Sequence, residues 1–203
     1  MDHLSEVAVR GVARRVLGDR AAQHVDFEIE PGSKRAYSYD WVDDRLRIRA
    51  SDPVSACVGL RSYLRRELGR DVQWGTVLPH DLATDLQPCS PHSGAARVSE
   101  QYMYNFCTYS YSTTYWDWAD WERELEWMAL HGITMPLALV GHEAVLAETW
   151  QRLGVPAHEA LKFLGDPVFS AFQFMGCLDG DEAVVTPDWL ATRLDLGRRI
   201  LDR

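Results

Sequence analysis

Apolar positions recur along this chain in two rhythms, one of every third or fourth residue and one of every second. From residue 2 to 17 the spacing of Leu4, Val7, Ala8, Val12 and Val16 predicts a helix stopped at Gly18. Alternation follows in Val25-Phe27-Ile29, Tyr37-Tyr39-Trp41 and Leu46-Ile48-Ala50, three strands with turns at Pro31-Gly32 and Asp43-Asp44. Asp52-Pro53 is an N-cap followed by proline at the first helical position. The helix it opens carries Val54, Cys57, Val58, Leu60, Leu64 and Leu68 and ends at Gly69, and a short strand is expected from Val72 to Val77. Residues 1–78 thus read as a small, sandwich-like α/β domain with a supporting role. Residues 79–97 are rich in Pro, Ser, Ala and Gly without a sustained period, and read as a linker.

The pattern from 98 onward is different. Val98 to Phe106 reads as a lead-in strand. A helix capped by Asp117 then carries Trp118, Trp121, Leu125, Met128 and Ala129 on one face, with Glu122 and Glu124 in its early turns. Gly132 ends it as a left-handed C′ residue, and the apolar run Ile133 to Val140 has the length of a parallel strand buried on both faces. Gly141-His142-Glu143 follows as a polar loop, where barrel enzymes keep their working residues. Helices are expected over 143–153 and 156–164, a partly apolar segment over 167–175, and a last helix from Thr186-Pro187-Asp188. Strand, helix and buried strand in this order open a (β/α)8, TIM-type barrel over residues 98–203. A closed barrel uses eight strands and about 250 residues, so the barrel is expected to be incomplete.

Charge narrows the function classes. A formal net charge of −9 argues against non-specific nucleic-acid binding and, weakly, against docking on anionic membranes. No apolar run is long enough to span a bilayer. The N-terminal segment lacks the apolar core of a secretory signal, which favours a cytoplasmic protein, or a secreted one if the N-terminus is incomplete. Cys57, Cys89, Cys107 and Cys177 are scattered without a CxxC pair, and read as free, mostly buried thiols rather than a metal or redox site.

The stretch YNFCTYSYS (104–112), then WDWADWERELEWMALHGITMPLA (116–138), then GHEAV (141–145) closely resembles the α-N-acetylglucosaminidase family of glycoside hydrolases. The resemblance is strongest from about Tyr102 to Leu178 and fainter, in the expected order, from about Val7 to Leu78. It implies a retaining exo-glycosidase acting on a glycan that ends in α-linked N-acetylglucosamine, through two carboxyl groups and without metal or organic cofactor. In that family the two catalytic glutamates lie on later strands, past Arg203. No catalytic residue is therefore expected here, and the 203-residue chain, an N-terminal fragment or truncated product, is expected to be inactive alone. The alternative is a non-catalytic sugar-binding or interaction module derived from the family. The oligomeric state is not legible.

Residue by residue, the resemblance places Asn105 and Cys107 in the pocket for the terminal sugar, with Phe172 and Met175 at positions of a pocket tryptophan and methionine. Asn offers a donor and an acceptor to vicinal hydroxyls, and an aromatic face suits the C–H surface of a pyranose. Phe172 departs from the family tryptophan and shrinks that platform. Glu143 matches a position at the pocket floor, a supporting role, and His142 stands where the family has glutamine. Core packing is the rival role for Asn105, Cys107, Phe172 and Met175. His142-Glu143 and His131 lack the second histidine of a zinc helix, so no metal is expected. The WDWADW tryptophans admit a sugar-stacking ladder, but Trp118 and Trp121 share a helical face and read as core, leaving Trp116 as a possible pocket residue. Glu122, Arg123, Glu124 and Glu126 read as a solvated or ion-paired face.

Overall fold

The computed structural model describes residues 3–74, 85–177 and 184–202. The chain is mixed α/β and divides into two compact units. The first runs through Tyr102 and takes in Arg123–Met135; the second comprises Met103–Glu122 and Pro136–Arg203.

The first unit is built on a four-stranded sheet of β1 (Val25–Ile29), β2 (Ala36–Val42), β3 (Arg45–Ala50) and β4 (His92–Ala95), in the order β1-β3-β2-β4. β1 pairs with β3 in parallel, while β2 is antiparallel to both β3 and β4. The register explains the alternation: Phe27 and Tyr39 both face Ile48, and Val25 and Trp41 both face Leu46. The alternating apolar residues of the three longer strands, Ala36 and Val42 at the ends of β2 aside, therefore lie on one face, as a period of two requires. That face is covered by α1 (His3–Leu17) and α3 (Pro53–Glu67), which contribute Val9, Val12, Val16, Leu17, Leu60, Tyr63 and Leu64 to the core. Between them lies the short α2 (Asp19–Ala22). The opposite face carries Arg45, Arg47 and Arg49, paired with Asp26, Glu28 and Asp40 on neighbouring strands. Asp43 and Asp44 turn β2 into β3 with φ of 51° and 58°, the left-handed pair demanded by a two-residue hairpin.

Helix ends follow the sequence signals. Asp52 accepts hydrogen bonds from the Ser55 backbone N–H at 2.8 Å and from the Ser55 hydroxyl at 2.5 Å. In α5 (Trp118–Leu130), Asp117 and Asp120 each accept from the other's backbone N–H, a reciprocal capping box. Gly132, at φ 82°, ends α5: its N–H reaches the Ala129 carbonyl, and the Ile133 N–H reaches that of Met128, which is the Schellman arrangement. Thr186 caps α9 (Pro187–Leu201) through the Trp189 N–H at 3.1 Å.

Several expectations are corrected. Val72 to Trp74 form no strand, although Val72 is buried; residues 75–77 lie outside the described residues. Within the stretch read as linker, residues 92–95 form the edge strand β4, and residues 79–84 lie outside the described residues. The composition concealed a strand because Gly94 is needed there: a Cβ would lie 2.6 Å from the Tyr37 hydroxyl packed over it. The lead-in strand shrinks to β5 (Tyr102–Met103), and the run 133–140 to β6 (Met135–Pro136), which pairs with it. A strand lasts only as long as its neighbour, and β5 gives way at Phe106 to a helix, α4 (Phe106–Tyr111). The run is not fully buried either, with Met135 exposed.

On the acidic face of α5, read as solvated or ion-paired, burial and pairing replace solvation at Glu124 and Glu126. Glu124 and Glu126 are buried; Glu124 accepts from the Trp74 indole N–H at 3.1 Å, and Glu126 pairs with Arg15 of α1. Trp121 is fully buried as expected, but Trp118 is only half-buried and lies under the Arg199 guanidinium at 4.2 Å. Of the four free cysteines only Cys57 is buried, with its thiol pushed up to about 12 by burial, while Cys177 is exposed.

The Asp52 cap gives a stability test. Burial pushes its carboxyl up, but hydrogen bonds from Ser55 and Ser51 and the charge of Arg35 outweigh this and hold it below the ordinary range. A depressed carboxylate supports the fold above its unfolded pKa and loses that support on acidification. Asp52→Ala is expected to lower stability by about 1–2 kcal/mol near neutral pH. In urea titrations the gap from the parent should narrow as pH falls below about 4.

Candidate functional site

All seven residues singled out in the sequence lie in the second unit. Two short helices carry four of them. Asn105 is the N-cap of α4, its side-chain oxygen accepting from the Thr108 N–H and hydroxyl, both at 3.2 Å. The residue before it, Tyr104, sits at φ 78°, a left-handed conformation costly for a bulky side chain, with its ring against Trp121 at 6.5 Å. Cys107 shares a helical face with Ser110 and Tyr111, which lie three and four positions on. That face meets α8 (Ser170–Phe174): the Ser110 hydroxyl accepts from the Ala171 N–H at 3.0 Å, and Tyr111 meets Phe172 edge-on at 5.9 Å. Met175 is the C-cap of α8 and is exposed. Asn105 and Cys107 on α4, and Phe172 and Met175 on α8, are therefore borne by two packed helices. Around them Phe106, Tyr111 and Phe169 are exposed, which makes this an aromatic surface.

Glu143 and His142 are placed elsewhere. The expected polar loop is instead the first turn of α6 (His142–Arg152), with Gly141 as N-cap at φ 86°. The approach of α9 is tight here: a Cβ on Gly197 would lie 2.3 Å from the Val140 carbonyl oxygen. His142 stacks on Phe174 with centroids 4.1 Å apart, and burial pushes its pKa down, so the ring is neutral near neutral pH. Trp116 packs edge-on against Trp121 at 5.5 Å, and its carbonyl accepts from Arg193 at 2.8 Å. Its indole thus covers the core tryptophan.

Glu143 lines a cavity of about 20 Å³ together with Tyr109, Thr113, Ser170, Phe174 and Arg193. Asn105, Cys107, Phe172 and Met175 are not among its walls. Burial raises the Glu143 carboxyl above the ordinary range; its own backbone N–H, the Ser170 hydroxyl and the positive charge of Arg193 pull the other way and do not prevail. Chemically, this is a carboxyl whose charged form is disfavoured by burial and supported by hydrogen bonds and a nearby guanidinium. Arg193, Ser170 and Thr113 are not legible in the sequence, since a helical arginine and two small hydroxyl residues carry no motif. Among the described residues no three His, Cys, Asp or Glu side chains gather as metal ligands.

The raised carboxyl makes a pH test. With its folded-state pKa above that of the unfolded chain, ionisation of Glu143 opposes folding, and this penalty grows as pH rises through the folded value. Glu143→Gln should therefore melt above the parent at about pH 7, and the difference should close toward about pH 4. Thermal scans across that range check it.

The family model described as the alpha-N-acetylglucosaminidase TIM-barrel domain matches residues 101–203, and that of the alpha-N-acetylglucosaminidase N-terminal domain matches residues 7–86. The alpha-N-acetylglucosaminidase of Homo sapiens is 35% identical over 207 residues, covering 97% of this chain and 27% of the human protein. The family 89 glycoside hydrolase of Clostridium perfringens, solved in complex with PUGNAc, matches with a TM-score of 0.92 at 24% identity, over 100% of this chain and 23% of that one. The same bacterial enzyme, solved in complex with its substrate GlcNAc-alpha-1,4-galactose, matches with a TM-score of 0.93. This chain thus spans about a quarter of the length of these relatives.

Proposed function

This chain belongs to the alpha-N-acetylglucosaminidase family, and we propose that it supplies the N-terminal portion of an exo-acting glycosidase that releases terminal α-linked N-acetylglucosamine. In this reading residues 1–78, together with the edge strand at 92–95, are an accessory α/β domain, the rest of 79–97 a connection, and 98–203 the opening part of the catalytic barrel. Two observations support an incomplete barrel. The 203 residues span 27% of the human relative, and between 101 and 203 the described residues hold only the two-residue strands β5 and β6. An eight-stranded barrel needs far more pairing than that.

The observation that carries the reading is the α4–α8 pair. It bears Asn105, Cys107, Phe172 and Met175 on adjoining helices beside exposed aromatics. These residues form one wall of a pocket for the terminal sugar. Asn105 keeps only its amide N–H groups for a hydroxyl, because its oxygen is engaged by Thr108. Glu143 and His142 stand behind that wall and support it. Two carboxyl groups about 5–5.5 Å apart, one nucleophile and one acid/base, carry out retaining cleavage without a metal. In this reading neither carboxyl belongs to these 203 residues.

The 203-residue protein is therefore expected to show no turnover of 4-nitrophenyl α-N-acetylglucosaminide above the buffer rate. Measurable hydrolysis would place a catalytic pair inside this chain and overturn the assignment. Calorimetric titration with N-acetylglucosamine should likewise give no heat; clear binding would instead make the chain a sugar-binding module.

A further inference from the structure

The small cavity beside Glu143 has a chemistry of its own. Three elements converge on it: α6 through Glu143, α9 through Arg193, and the turn after α4 through Thr113. Thr113 is only 2% exposed, and its hydroxyl oxygen is buried with no hydrogen-bond partner among the described residues. The Arg193 side-chain Nε, on the same wall, is also buried without a partner, although its Nη1 is tied to the Trp116 carbonyl at 2.8 Å. Ser170 is buried too, its hydroxyl 3.1 Å from the Pro167 carbonyl oxygen. Burying a hydroxyl or an N–H with nothing to bond is costly. Two such atoms on residues that line one cavity point to a shared partner.

We infer that this cavity is a binding site for a single structural water, which accepts from Arg193 Nε and bonds to the Thr113 hydroxyl and the Glu143 carboxyl. The volume fits: about 20 Å³ exceeds the roughly 10–15 Å³ that one water requires, and leaves no room for a sugar. The polar set fits as well, since a buried water typically holds two to four hydrogen bonds. Charge selects against ions. The guanidinium repels a cation and the carboxyl disfavours an anion, whereas a neutral dipole satisfies both. The water would lock the turn at Thr113, immediately after the helix that carries Asn105 and Cys107, onto α6 and α9. Arg193 and Thr113 are thereby positioning residues for α4.

The sign of one substitution separates this site from a dry cavity. In a dry cavity the Thr113 hydroxyl is an orphan, so Thr113→Val removes a penalty and the protein melts at the same or a higher temperature. With the water in place, the same change strips one of its partners and loosens its hold on Arg193 Nε and Glu143, and the melting temperature falls by a few degrees. Water-selective NMR on the 15N-labelled 203-residue protein supplies a direct reading. The parent should show persistent water cross-peaks to the amides of Thr113 and Thr114, lost in Thr113→Val and retained in Thr113→Ser, which keeps the hydroxyl. No cross-peak in the parent, its loss in Thr113→Ser, or a melting temperature for Thr113→Val at or above the parent's would each overturn the proposal. Should Thr113→Val fail to fold, the parent and Thr113→Ser spectra decide.

Discussion

Backbone N–H and C=O groups removed from water must find partners inside the protein, and the two units of this chain meet that demand differently. The first uses a sheet. β3 is bonded on both sides, β2 gains an outer partner in β4, and the helices that cover one face close their ends with Asp52, Gly18 and Gly132. The second unit has almost no strand pairing among its described residues and relies on short helices, each ended by a side chain or a glycine. Asn105 caps α4, Asp166 the 3₁₀ turn at Pro167–Phe169, Thr186 caps α9, and Gly141 opens α6. Helices this short are marginal in isolation, so their packing against one another determines whether they form.

That dependence explains where polar groups are buried. Ser110 leaves its own helix unserved and bonds the first turn of α8, which fixes the α4–α8 pair more sharply than apolar contact alone would. Arg193 reaches from α9 to a carbonyl in the loop before α5. Such bonds are modest net contributors, about 1 kcal/mol each, yet breaking one leaves a buried atom unserved and costs more. The candidate sugar wall rests on this framework. Its residues act at the surface, while the polar groups behind it hold the backbone that presents them.

In the first unit the same logic governs charge. The arginines of β3 lie on the open face of the sheet, where pairing with Asp26, Glu28 and Asp40 adds little individually. Glu126 is different: it is buried, and its pairing with Arg15 joins α5 to α1. Removing one member of a buried pair is expensive because the other charge stays behind. A run of acidic residues on one helix therefore contains half-buried and fully buried members, and the distinction lies in what packs against them.

The sequence by itself determined whatever depends on near neighbours. Periods of two and 3.6 located the strands Val25–Ile29, Ala36–Val42 and Arg45–Ala50 and the longer helices α1, α3, α5, α6 and α9, but not the short α2 and α4, because burial of one face imposes those periods on the local pattern only over several turns. Caps were legible for the same reason: Asp52, Asp117, Gly132 and Thr186 act on backbone groups three to five residues away. The long Trp-rich match disclosed the family and marked Asn105, Cys107, Phe172 and Met175. Only the tertiary structure decided what depends on distant partners. β4 hides in a Pro/Gly/Ser-rich stretch because its pairing with β2 lies more than fifty residues back. The run 133–140 has the composition of a buried strand, but its extent is set by β5, which pairs over two residues. Glu124 and Glu126 look solvated until Trp74 and Arg15 are brought to them. The cavity at Glu143 could not be foreseen, since its walls come from four segments between Tyr109 and Arg193 and no local pattern records their meeting.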